Sequence, residues 1–357
     1  MAIHKLTIEE FLALAKQHPV LDVRSPGEYN HAHIPGAISF PLFTDDERKV
    51  VGTAYKQQSR EEAIKIGLDY FGVKMRKMVE EAESIVTSHK PAVNTETTNG
   101  HPSSKIILVH CWRGGMRSAG VAWLLDLYGF NVYTLVGGYK LFRRWTLEQF
   151  EKNYSFHVLG GYTGSGKTYV LNAMLKKSEN VIDLEGLAHH KGSAFGALGM
   201  PKQPSQEMFE NKLSLKLFAA AQEQKPIWVE DESQRIGEVN IPINLWKQMR
   251  TQPLFFLDIS FEERLKHIVV EYGKEEKEKL VNAIIRIKKK LGGLEAKEAI
   301  GALIEDRTED CFRILLSYYD KLYLKAMHNR EGLEALLQKI PCVSVHESNM
   351  NQLLQPH

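Results

Sequence analysis

Short apolar runs alternate with stretches of helical periodicity along most of the chain, the pattern of strands and helices in a parallel α/β protein. Periodic apolar positions over residues 8–17 predict a helix, and the runs at 20–23, 38–40, 106–109 and 132–135 predict strands. Helices are expected over 59–88, rich in Glu, Lys and Met, and over 118–128, where Gly129 stops the pattern. Residues 91–104 hold Asn, Thr, Pro, Ser and Gly without periodicity and predict a surface loop. After the turn at Gly137 and Gly138, a basic helix carrying Arg143 and Arg144 is expected over 139–153. A second α/β unit then begins, with strands expected at 156–159, 181–183, 227–230 and 254–259 and a helix over 169–177. From Phe261 onward the pattern is mostly helical; Leu280, Ile284, Ile287 and Leu291 form one apolar stripe ended by Gly292 and Gly293. No internal repeat is visible. The expected organisation is α/β throughout: a domain over 1–138 with a helical insertion, a helical linker over 139–154, and a second domain over 155–357 with a helical C-terminal region.

Length changes this picture little, since 357 residues suffice for two domains with separate cores. A net charge of +2 neither demands nor excludes a nucleic-acid partner. Any such site must come from local charge. No apolar stretch approaches a bilayer span, and the first residues lack the apolar core of a signal peptide. The three cysteines, Cys111, Cys311 and Cys342, are too widely spaced for a metal or disulfide pattern, which points to a reducing, cytoplasmic setting. Neither His31 and His33 nor His189 and His190 has a companion ligand set for zinc.

Two loops carry the candidate chemistry. The run from His110 to Ser118 places Cys111 directly after a strand, followed by Arg113, Gly114, Gly115 and Arg117 and then a helix. Loop amides, the helix N-terminus and two guanidinium groups favour a thiolate, which would make Cys111 a nucleophile near neutral pH. An apolar niche for a merely structural cysteine would not be lined by arginines; Cys311 and Cys342 lack such surroundings and read as core. The second loop, Gly161 to Thr168, satisfies the phosphate-loop pattern between an expected strand and helix. There Gly161, Gly164, Ser165 and Gly166 let the backbone wrap a phosphate, Lys167 neutralises it, and Thr168 is placed to reach a magnesium ion. The strand 226–230 ends in acids, of which Asp231 or Glu232 could hold a magnesium-bound water or simply be solvated. Asp22 and Arg24 read as a structural ion pair, and His33 to Gly36 as a rigid turn. Arg286, Lys288, Lys289 and Lys290 end the amphipathic helix, either as a solvated face suited to the helix dipole or as contacts to RNA phosphates.

The segments 22–28, 33–37 and 110–118 together resemble the rhodanese fold, whose cysteine carries sulfur as a persulfide. Five residues separate Cys111 from Arg117, where common single-domain sulfurtransferases have four. This longer spacing resembles rhodanese-related dual-specificity phosphatases and implies a roomier pocket. A rhodanese-like domain followed by a P-loop NTPase-like domain resembles the tRNA 2-selenouridine synthase family over nearly the whole chain. Segments 51–57, 183–190, 192–196 and 230–237 add to the two loops in that likeness. The resemblance implies a transferase that acts on the wobble 2-thiouridine of the tRNAs for lysine, glutamate and glutamine. It implies S-geranylation with geranyl diphosphate, then selenation with selenophosphate through a perselenide on Cys111, with Arg113 and Arg117 binding the oxyanion. It also implies no tightly bound cofactor, with magnesium as a candidate, a possible selenophosphate-supplying enzyme as partner, and a monomer away from membranes. Two other readings stay open on the residues alone: a phosphatase-like cysteine domain fused to a nucleotide-dependent kinase, and a tRNA-binding nucleotide switch with Cys111 as redox sensor.

Overall fold

Every pairing in the two main sheets is parallel, as the alternation of strands with helices requires. The computed structural model describes residues 3–89 and 105–354, so the expected loop at 91–104 lies outside the described residues. The chain falls into two compact units, Met1–Glu148 and Gln149–His357.

In the first unit five strands, β1 (His4–Leu6), β2 (Val20–Asp22), β3 (Ile38–Ser39), β4 (Ile106–His110) and β5 (Asn131–Leu135), stand in the order β1-β5-β4-β2-β3. Helices cover both faces of such a sheet, so its strands are apolar on both sides. Leu21, Ile107, Val109 and Val132 are accordingly buried with Val121 and Leu125 of the helix Met116–Tyr128. β4, which leads to Cys111, is the central strand. Its position shields the strand and leaves the reactive loop at its C-terminal end.

Three expectations for this unit need correction. The polar stretch before residue 59 forms a helix, Asp45–Gln57, started by a capping box in which Thr44 and Glu47 satisfy each other's amides. The helical region at 59–88 is two helices, Arg60–Gly72 and Met75–Ser88, broken at Val73 and Lys74. The helix expected over 139–153 runs Gly138–Gln149, ending earlier, and buries Tyr139, Phe142 and Trp145.

The second unit contains β6 (Phe156–Gly160), β7 (Ile227–Glu230), a hairpin of β8 (Arg235–Ile236) and β9 (Val239–Asn240), β10 (Leu254–Asp258) and β11 (Leu337–Pro341). Its main sheet has the order β11-β10-β6-β7. The expected strand at 181–183 contributes only a single bridge, Val181 to Trp228, because Asp183 turns the chain by capping the helix Leu184–Ala188. The predominantly helical reading beyond Phe261 missed β11, which closes one edge of the sheet. Helices Gln206–Ala220 and Ile243–Arg250 are further additions. Leu280, Ile284 and Leu291 do form a buried stripe with Ile287 packed against it. Among the described residues no helix is long and apolar enough to cross a membrane.

Candidate active-site loops

Beyond β4 the chain makes a tight turn in which Gly114 has φ +64° and the facing Gly138 has φ +56°. A Cβ on Gly138 would lie 2.3 Å from the Cys111 carbonyl oxygen and 2.5 Å from the Gly114 nitrogen, so only glycine fits. The Tyr139 amide donates to the Cys111 carbonyl at 2.9 Å and the Lys140 amide to that of Trp112 at 2.8 Å. The loop is thus pinned from behind through its carbonyls. Its amides, from Trp112 to Ser118, donate to no acceptor among the described residues, which is the state of an anion cradle. Cys111 is buried at its floor, with Sγ 3.2 Å from the Ser118 hydroxyl, which also lies 3.1 Å from the Gly115 carbonyl.

The charges around this loop are already paired. Arg117 donates through Nη1 to Glu28 at 2.7 Å, which fixes its position beside the loop. Burial opposes ionisation of Glu28, but the Arg117 hydrogen bond and charge, the Ser25 amide and Arg48 outweigh it and hold the carboxyl at about 2. Asp22 and Arg24 form the expected ion pair, fully buried at 2.6 Å, with the Arg24 guanidinium 3.9 Å from the Tyr139 ring centroid. His110 is fully buried 3.7 Å from Asp22, and burial pushes its pKa down against the pull of that carboxylate. Arg113 is exposed and makes no ion pair among the described residues. His33 accepts its place in the rigid turn, stacked on Tyr29 at 4.0 Å.

The phosphate loop follows β6 by the same strand–glycine–helix logic. Gly161, Gly164 and Gly166 all have positive φ, and the helix Lys167–Lys176 starts at once. Among the described residues the amides of Gly164, Gly166, Lys167 and Thr168 have no acceptor, and the buried Ser165 hydroxyl has no partner. Lys167 reaches back to the Gly161 carbonyl at 3.1 Å, a placeholder for a phosphate oxygen. From outside, the buried Arg264 donates to the Thr163 carbonyl at 3.0 Å, pairs with Asp320 at 2.7 Å and lies 4.7 Å from the Tyr162 ring centroid.

The two candidate acids at the end of β7 separate. Asp231 accepts from Arg330 at 2.5 Å and from the Tyr323 hydroxyl at 2.7 Å, so it braces the loop, whose Gly161 amide in turn donates to Tyr323 at 3.3 Å. Glu232 pairs instead with Glu185, a residue the sequence reading did not select, and Glu185 accepts from the Thr168 hydroxyl at 3.1 Å. Burial and the charge of Glu185 raise the Glu232 carboxyl well above its usual range, and burial likewise raises Glu185. Glu230, fully buried and accepting from the Leu184 amide at 3.0 Å, is also raised well above normal by burial and by Asp183 and Glu185. Among the described residues no group of three or more His, Cys, Asp or Glu is arranged to hold a metal.

The phosphate loop opens into a cavity of ≈ 930 Å³. Its lining includes Lys167, Thr168, Glu185 and Glu232 together with Trp246, Ile268, Tyr272, Tyr319 and Leu322. Lys191, whose ammonium pairs with Glu271 at 2.5 Å, adds a cation to the lining. Arg286, Lys288, Lys289 and Lys290 lie exposed on the helix Lys277–Leu291. Cys311 and Cys342 are core thiols, pushed up to about 12 and about 11, in both cases chiefly by burial.

The rhodanese-like domain family matches residues 7–144, and the family described as tRNA 2-selenouridine synthase AAA domain matches residues 154–341. The chain is 31% identical over 380 residues to a tRNA 2-selenouridine synthase of Bdellovibrio bacteriovorus, covering 92% of this chain and 94% of that protein. It is 33% identical over 342 residues to one of Pseudomonas syringae pv. syringae, covering 85% and 87%. With one of Nitrosomonas europaea it shares 35% identity over 262 residues, or 71% of this chain and 63% of that protein.

Proposed function

The chain belongs to the tRNA 2-selenouridine synthase family, and from that premise we propose that it converts the wobble 2-thiouridine of tRNA to 2-selenouridine in two stages. It is a tRNA-modifying transferase. In the first stage the thiocarbonyl sulfur attacks the first carbon of geranyl diphosphate. The C–S bond forms, the C–O bond breaks, diphosphate leaves with the electron pair, and the ring nitrogen gives its proton to solvent. Alkylation turns a poor leaving group into a thiolate that departs readily. In the second stage selenophosphate supplies selenium at the Cys111 loop and the geranylthiolate leaves. The substrates are the tRNAs for lysine, glutamate and glutamine, with Arg286, Lys288, Lys289 and Lys290 contributing phosphate contacts.

The observation that carries this reading is the cavity. Its lining combines a phosphate loop with the large apolar and aromatic side chains Trp246, Ile268, Tyr272, Tyr319 and Leu322, which suits a diphosphate head with a terpene tail. Lys167 and the loop amides bind the diphosphate and stabilise it as it leaves. Thr168, Glu185 and Glu232 are hard oxygen donors and would hold a magnesium ion. Such an ion would neutralise departing negative charge.

Two measurements test the proposal. Nucleosides from a deletion strain grown with selenium should lack 2-selenouridine by mass spectrometry; an unchanged level refutes it. Lys167→Ala should reduce geranylation by more than about a hundredfold while leaving selenation of pre-geranylated tRNA largely intact. Equal loss of both steps overturns the division of labour between the loops.

A further inference from the structure

Selenium enters in selenophosphate and leaves in 2-selenouridine at the same oxidation level, that of selenide. A perselenide on Cys111 does not fit between them. Forming one from selenophosphate would expel phosphorus at the phosphite level, and discharging it onto the base would need a reductant. Direct attack of the selenium of selenophosphate on C2 of the S-geranylated base needs neither. The C2–Se bond forms, the C2–S bond breaks, and geranylthiolate departs with the pair. What then remains is a Se–P bond.

We propose that Cys111 breaks this bond, acting as a phosphoryl acceptor rather than a selenium carrier; the inference rests on the two-stage reading above. The cysteine sulfur attacks phosphorus, the S–P bond forms, and the P–Se bond breaks with its electron pair on selenium. The ring nitrogen of the released 2-selenouridine then takes a proton from water. A water molecule next attacks the phosphocysteine, returning the pair to sulfur and releasing phosphate and a proton.

Four observations point this way. Five residues separate Cys111 from Arg117, and the amides from Trp112 to Ser118 are without internal acceptors, enough donors to surround the three oxygens of a phosphoryl group in transfer. Arg117 is held by Glu28 through Nη1, and among the described residues its other guanidinium nitrogens make no bond to protein. The Ser118 hydroxyl, 3.2 Å from Sγ, is placed to donate to the sulfur when the phosphoryl group leaves it. The carboxylates packed around the loop, Asp22 and Glu28, are both committed to arginines. Neither is therefore free to serve as a general acid. A selenolate needs none, since it is a weakly basic leaving group, whereas an alkoxide would.

The test uses the full-length protein with S-geranylated tRNA and phosphorus-labelled selenophosphate, quenched in alkali and digested. Label is expected on the peptide carrying Cys111, and Ser118→Ala should prolong it by slowing hydrolysis about tenfold. Cys111→Ser, its fold checked by circular dichroism, should accumulate a Se-phosphorylated nucleoside in tRNA. Selenium on Cys111, or undiminished 2-selenouridine in Cys111→Ser, overturns the proposal. A tRNA-free assay separates this result from the reading beneath it. Hydrolysis of an aryl phosphate with a weakly basic leaving group should fall more than about a thousandfold in Cys111→Ser. It should also fall steeply as the leaving group becomes more basic. If the wild type makes no 2-selenouridine, the two-stage reading fails, and the aryl phosphate still decides whether Cys111 accepts phosphoryl groups. Absence of hydrolysis by the wild type counts against it.

Discussion

The two anion-ready loops follow one plan, a parallel strand, a glycine turn and a helix N-terminus, yet they are held in opposite ways. Around Cys111 the ionic contacts are arginine–carboxylate pairs, Asp22 with Arg24 and Glu28 with Arg117, and Glu28 stays ionised down to about 2. Around Lys167 the inner contacts are carboxyls whose pKa burial raises, Glu185 with Glu232 and Glu230 behind them. A loop that must steady a nucleophile gains from charges that do not change with conditions. A pocket that must accept a highly charged head, with or without a cation, gains from groups whose charge adapts. The same backbone device thus serves a fixed field on one side and an adjustable one on the other.

The largest effect should come from removing the fixed loop's seam. Gly138→Ala puts a Cβ against the Cys111 carbonyl at a positive φ and should cost about 3 kcal/mol, read by denaturant unfolding of the first unit. A smaller change of opposite sign is expected in the adjustable loop. The raised carboxyl of Glu230 stabilises the fold only while protonated, so its contribution is full below the ordinary value of 4.5 and declines as pH rises toward the raised folded value. Glu230→Gln keeps an acceptor for the Leu184 amide and needs no proton. Its Tm should exceed the wild type's by a few degrees at neutral pH, and the gain should vanish in acid. A gain independent of pH would show that Glu230 is not protonated in the fold.

Glu28→Gln should cost about 1 kcal/mol at neutral pH, discounted for partial solvent screening. Because the folded carboxyl lies below its ordinary value, that stability is present above 4.5 and fades as pH falls through about 2. Acid titration of wild type and variant should therefore converge; parallel curves would break the contrast. The smallest effect lies outside both loops. Neutralising Lys288, Lys289 and Lys290 should lower the salt dependence of tRNA binding by about one slope unit per lysine and leave melting unchanged. An unaltered slope removes that helix from the tRNA contact.

Both loops were legible because each is local: strand, glycines and charged residues lie within one short run. Cys111, Lys167 and Thr168 could be read without knowing what packs behind them. The supports could not. Glu185 meets Thr168 across separate elements, and its local sequence says only that Asp183 starts a helix. Asp231 and Glu232 are adjacent acids at a strand end, where neighbouring side chains point opposite ways, so choosing between them required knowing where Arg330 and Tyr323 lie. The partner of Arg117, Glu28, could not be read because it belongs to a distant turn. β11 was missed because Leu337–Pro341 carries two adjacent polar residues, Gln338 and Lys339, and ends in proline, tolerable only at a sheet edge. The helix Asp45–Gln57, by contrast, had a readable start in Thr44 and Glu47.

The raised carboxyls of Glu185 and Glu232 have a thermodynamic corollary. Any proton they carry makes occupancy of the cavity a quantity that solution acidity reports. A divalent cation bound there would release that proton into the buffer, whereas a diphosphate arriving alone would not. Titration calorimetry in buffers of different ionisation enthalpy would therefore count protons for each ligand separately.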